Sequence, residues 1–104
     1  MDINKLTHKV VTFRTVTGEE IIGTLEEYNS KNGLFTVSLP RVVLLDENGE
    51  VMTVQYSLTG VNDRVIFHNR NVFSVTESAE VAAQDYVIQN ETQHLNSEII
   101  MDFG

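Results

Sequence analysis

Few residues in this chain have the types and spacing to do chemistry. The densest polar cluster is His68-Asn69-Arg70-Asn71, set between the apolar runs Val65-Ile66-Phe67 and Val72-Phe73. A histidine can stack or move a proton, an arginine can meet a phosphate, and asparagine side chains carry both donors and acceptors. The same four residues also suit the turn of a hairpin. The histidines His8, His68 and His94 fall in no metal-ligand spacing, so no structural metal is expected. Glu19-Glu20 and Glu26-Glu27 are carboxylate pairs, but neighbours on a strand point to opposite faces and cannot share acid–base work. The chain has no Gly-rich phosphate loop, no nucleophile elbow and no cysteine. Neither catalysis nor a cofactor is expected.

The elements that hold these residues must form one modest core, because 104 residues suit a single domain. The longest apolar runs are blocks such as Val42-Val43-Leu44-Leu45, far short of a membrane span, and the start MDINKLTHKV lacks a signal-peptide stretch. The expectation is a soluble, cytoplasmic protein. The net charge of −8 is uneven. Residues 77–104 hold six acidic groups and no Lys or Arg, whereas residues 1–76 hold nine acidic and seven basic groups. The first part can therefore carry a phosphate-binding surface, although no basic patch marks it.

Residues 1–76 read as strands, rich in Val, Thr, Ile and Phe. VVTFRTV (10–16) and EIIGTLEEY (20–28) flank a tight turn at Thr17-Gly18-Glu19. On the second strand Ile21, Gly23 and Leu25 share one face, and a mid-strand glycine marks a sharp bend or a close backbone approach. Asn29 to Gly33 is a turn cluster, and Pro40 interrupts the apolar stretch 34–45 with a break, bulge or edge. Asn48-Gly49 predicts a two-residue hairpin turn. After Thr76 there is no Gly or Pro until Gly104, and Val81, Ile88 and Leu95 recur every seven residues, which predicts a helix from about 78 to about 90. Small open barrels expose strand edges, so self-association competes with a monomer whose helix covers an edge.

Two segments together resemble the Sm-like (Lsm) family of RNA-associated ring proteins. The first Sm motif is matched by Val10–Val16, Gly18, Ile21-x-Gly23-x-Leu25, Tyr28, the Asn29 turn and Leu34. The second is matched by Phe67-His68-Asn69, the turn Arg70-Asn71, and Val72-Phe73-Ser74-Val75. The acidic total and the helix after the strands resemble the phage-borne, cyanophage-type branch. The resemblance implies a mostly β fold: a small, five-stranded, strongly bent Sm-like (SH3-like) barrel over 1–76, followed by an acidic C-terminal helix and tail over 77–104. It also implies a homo-oligomeric ring, pentamer to heptamer, with single-stranded RNA at the pore in RNA processing or turnover. A phage-encoded copy would work in the cytoplasm of its host.

By the same resemblance the RNA-contacting positions are Asn29, Lys31, Asn32, His68, Asn69, Arg70 and Asn71. Asn29 stands at the family's Asp turn, Lys31 at its stacking position, Gly33 at its base-contacting Asn, and His68-Asn69 at its Arg-Gly. The framework positions are kept and the base-reading ones are replaced. This implies loose RNA binding, by stacking on His68, base-edge bonds to the asparagines, and phosphate contacts from Lys31 and Arg70, rather than a uridine-selective pocket. The competing expectation is a ring scaffold that recognises proteins through its acidic tail, without RNA.

Overall fold

A computed structural model describes the backbone of residues 2–102 and the side chains of residues 2–92. The side chains of His94, Leu95 and the apolar stretch 99–103 thus lie outside the described residues. After a 3-10 turn at Ile3–Leu6, six strands appear in order: β1 (Val10–Thr15), β2 (Glu20–Asn29), β3 (Leu34–Leu45), β4 (Val51–Gln55), β5 (Arg64–His68) and β6 (Val72–Glu77). Helix α1 (Glu80–Asp102) closes the chain. The sheet is antiparallel, in the order β4-β3-β2-β1-β6, and β5 pairs with β3 as well.

Six strands replace the five expected, and the reason lies after the hairpin. β4 pairs with residues 41–45 of β3 and β5 with residues 34–38, so the two run in succession along one side of β3. Residues 56–63 leave the ladder between them. The sheet does not close: among the described residues the outer edges of β6 and of β4 and β5 lack strand partners.

Gly23 and Pro40 make the central bend together. Along β2 and β3, Ile22 pairs with Arg41 and Thr24 with Ser38, so Leu39 and Pro40 bulge opposite Gly23. Leu39 takes a φ of 50° to allow this. A Cβ at Gly23 would strike Val37 Cγ1, so the two strands can approach this closely only at a glycine. The bend wraps one face of the sheet around a core of Leu6, Val11, Phe13, Ile21, Leu25, Phe35, Val37 and Phe67. Phe13 meets Phe35 edge-on at 5.5 Å and stacks on Phe67 at 5.9 Å. Such aromatic pairs add ~0.5–1.5 kcal/mol each beyond the area they bury.

Two local expectations need correction. The β3–β4 turn spans Asp46–Glu50 and is not a two-residue loop. Asp46 N–H donates to Glu50 O at 2.8 Å, and Asp46 Oδ1 accepts from Asn48 N–H and Glu50 N–H at 2.8 and 2.9 Å. The aspartate side chain organises a wider turn, with Gly49 at φ 79° as its left-handed residue. The helix extends to Asp102 instead of stopping near 90, because residues 80–102 contain no breaker and many good helix formers.

Of the apolar stripe expected on α1, the described heptad residues turn away from the sheet and Tyr86 turns toward it. Val81 and Ile88 are 71% and 59% exposed, while Tyr86 is 3% exposed. Tyr86 Oη donates to Ser38 O at 2.9 Å and lies 3.2 Å from Thr24 Oγ1. Gln89 Oε1 accepts from Thr53 Oγ1, and Thr53 in turn accepts from Arg41 Nε at 2.7 Å. Among the described residues the helix is thus seated by polar contacts on β2, β3 and β4. Burial raises the pKa of the Tyr86 phenol, a shift partly opposed by its bond to Thr24. Burial likewise lowers that of the Arg41 guanidinium.

Candidate functional site

The turn at Asn29–Gly33 and the turn at 68–71 are far apart in sequence and adjacent in the fold. Phe67 and Phe35 are register partners inside the core, and the next pair outward is His68 with Leu34. Alternation along β5 turns Phe67 inward and leaves His68 exposed. Immediately beyond, Asn69 N–H donates to Gly33 O at 2.8 Å. The Asn69 side chain lies so close that a Cβ at Gly33 would fall 2.7 Å from its Cγ. Gly33 also holds a φ of 70°, so the turn needs glycine for both space and backbone.

Within the first turn, Asn29 Oδ1 accepts from Lys31 N–H at 3.0 Å, and Asn32 Oδ1 accepts from Leu34 N–H at 3.2 Å. Gly33 N–H donates to Asn29 O at 2.8 Å. Asn29 and Asn32 therefore spend side-chain acceptor capacity on shaping the turn, which is why asparagine serves here. Lys31 is exposed. In the second turn, Asn69–Asn71 form one 3-10 turn, and all three side chains are exposed. Asn71 O accepts from Val16 N–H at 3.0 Å, which ties this turn to the end of β1.

The structure thus brings all seven expected positions to one end of the sheet, at two touching turns. Two shallow cavities open beside them. One of about 230 Å³ is lined by Glu19, Tyr56, Ile66, Phe67, His68 and Asn71 among others. The other, about 280 Å³, includes Tyr28, Phe35, Asn69 and Phe73. Each offers an aromatic wall and an amide or imidazole at its rim, a combination that can hold a planar ring by stacking and edge bonds. Among the described residues no three His, Asp or Glu side chains gather into a metal site. None of the helices among them is long and apolar enough to cross a membrane.

No protein-family model matches this chain, and no curated protein matches it. The site must therefore be weighed on its own chemistry. Its own charge is mixed, with Lys31 and Arg70 on the two turns and Glu19 lining the first cavity. The two segments that meet here, 28–45 and 64–76, contain Lys31, Arg41, Arg64 and Arg70 and no acidic residue. Counting basic residues along 1–76 misses this, because the signal lies in the acid-free intervals and in their pairing. Sequence reasoning misses Tyr56 and Phe73 as well. Tyr56 is carried to the first cavity by the split between β4 and β5, and Phe73, 76% exposed, reads in the sequence only as a strand residue.

Proposed function

We propose that this chain is an Sm-like subunit that joins its copies edge to edge into a ring and holds single-stranded RNA where the turns 29–33 and 68–71 meet. The observation that carries the reading is the contact between those turns, Asn69 N–H to Gly33 O at 2.8 Å with the Asn69 side chain against Gly33. It gathers His68, Asn69, Asn71, Lys31 and Arg70 at one end of the sheet, on two segments that carry no acidic residue. The free edges of β5 and β6 support the assembly. Val65 and Val75 both pack toward the core, so pairing that keeps the faces aligned sets Val65 and Phe67 of one copy beside Val75 and Phe73 of the next. That covers exposed Phe73 and satisfies two open ladders.

The test is a titration of short labelled RNAs of differing base composition, at several salt concentrations, with the protein's assembly state measured alongside. Binding should weaken with salt by a log–log slope of about 0.7 per phosphate met. Lys31→Ala and Arg70→Ala should each make that slope shallower. An assembled oligomer that binds no RNA at low salt overturns the reading. A second reading, a protein-binding scaffold, is favoured by α1, which exposes Val81 and Ile88 and carries no Lys or Arg. Under that reading, deleting 77–104 abolishes partner capture and RNA is never recovered.

A further inference from the structure

Residues 56–63 interrupt the sheet edge between β4 and β5, and the interruption is firmly built. Tyr56 N–H donates to Pro40 O at 3.3 Å and Leu39 N–H to Asn62 O at 3.1 Å, so both ends are pinned to the bend of β3. Inside the loop, Asn62 Oδ1 accepts from Ser57 N–H at 3.0 Å, and Asn62 Nδ2 donates to Ser57 O and Gly60 O at 3.0 and 3.3 Å. Ser57 Oγ accepts from Gly60 N–H at 2.8 Å. The tip carries Leu58, 89% exposed, and Val61, 79% exposed. Two apolar side chains on a loop held this way form a preorganised contact, with little entropy left to lose on docking.

The loop leaves the edge at the start of β5. Every strand pair in this sheet is antiparallel. If β5 of one copy meets β6 of another in that sense, Arg64 comes to the Glu77 end of the neighbouring strand. Charge is mixed there: among the described residues Arg64 makes no ion pair, Asp63 stands beside it, and Glu77 is already held by Lys9 Nζ at 3.0 Å, with Glu80 close by. The loop tip runs through Asn62 and Asp63 into Arg64. Glu77 runs directly into the start of α1, where Ala79, Val81 and Ala82 are exposed. Antiparallel pairing therefore sets an apolar loop tip beside an apolar helix start.

We propose that Leu58 and Val61 of one copy seat on the first turn of α1, around Val81, of the next copy. This rests on the edge-to-edge assembly above and adds a contact that strand pairing does not require. Because the loop and the helix start are different surfaces, the contact runs head to tail around the assembly.

The chain has no cysteine, which permits a direct test. Copies carrying only Val61→Cys are refolded together with copies carrying only Val81→Cys, then oxidised. The expected result is a disulfide-linked dimer in the mixture well above that from either variant alone, since the bond requires Cα atoms within ~7 Å. In parallel, Leu58→Ser/Val61→Ser should raise the concentration at which the assembly half-dissociates by about tenfold, because two apolar side chains lose their cover. If the unmodified protein assembles but the mixture gives no linked dimer and the serine variant assembles as tightly, the contact is overturned and edge pairing stands. Dimers from Val61→Cys alone would also overturn it, in favour of a loop-to-loop contact. An unmodified protein that stays monomeric at every concentration overturns both proposals.

Discussion

Replacing Gly23 with alanine drives a Cβ into Val37 Cγ1, with Pro40 Cα and Ser38 O each 3.4 Å away. Val37 is wholly buried and cannot swing aside, and the other two neighbours are backbone. Overpacking of this kind costs ~1–3 kcal/mol. Alanine also restricts the unfolded chain, which returns ~0.4–1 kcal/mol. The net loss is therefore about 1–2 kcal/mol. For a chain of this size each kcal/mol moves the melting temperature by ~4–8 °C, so Gly23→Ala should melt about 4–16 °C lower. The assay is thermal melting by circular dichroism, together with urea unfolding in which the midpoint falls and the slope is unchanged. Adding Val37→Ala should recover part of the loss, because the new methyl then occupies space the valine vacated, with a coupling of about 0.5–3 kcal/mol. A Gly23→Ala protein that melts within about 2 °C of the original would refute the claim that close approach, and not chance, put glycine at the bend.

The remaining predictions concern the helix anchor and the two turns. Tyr86→Phe should cost about 0.5–1.5 kcal/mol at neutral pH, because Ser38 O and Thr24 lose their partner. The raised phenol pKa means that Tyr86 stabilises the fold fully below its ordinary value of 10.0, and that this contribution fades as pH climbs through the folded value. Melts from pH 8 upward should therefore show the gap between Tyr86→Phe and the original narrowing above pH 10, and a constant gap would contradict the assignment. His68→Ala should leave the melting temperature unchanged, since its side chain is exposed, while weakening RNA binding in the titration above. Gly33→Ala should weaken RNA binding even where the fold survives, because the added methyl displaces the Asn69 side chain, and unchanged affinity would count against the joined turns as the site.

The pattern of apolar residues and turn glycines makes β1, β2 and the bend readable from the sequence. Gly23 and Pro40 each announce an irregularity, although only the register shows that they are halves of one bulge. Alternation also points to Ile21 and Leu25 as core. The split of β4 from β5 is not legible, because it depends on Asn62 bonding across its own loop, a contact no periodicity encodes. The helix is legible as a helix and misleading as a surface. A heptad of Val81 and Ile88 suggests the buried stripe, but one tyrosine with two hydroxyl contacts and Gln89 on Thr53 decide which side docks. Convergence of the two turns is implied by the motif resemblance. That the two acid-free segments meet needs the pairing of β3 with β5.

The seating of α1 through Tyr86 and Gln89 gives the molecule a removable cover. Among the described residues the helix docks through the buried Tyr86 ring and a few directional bonds, so it should open locally before the sheet does. Each opening should bare the Tyr86 ring and uncover the face of β2 that Thr24 shares with buried Ile22. In the opened form that strip of β2 is a sticky spot. The net negative charge of residues 77–104 should then help keep transiently uncovered copies apart.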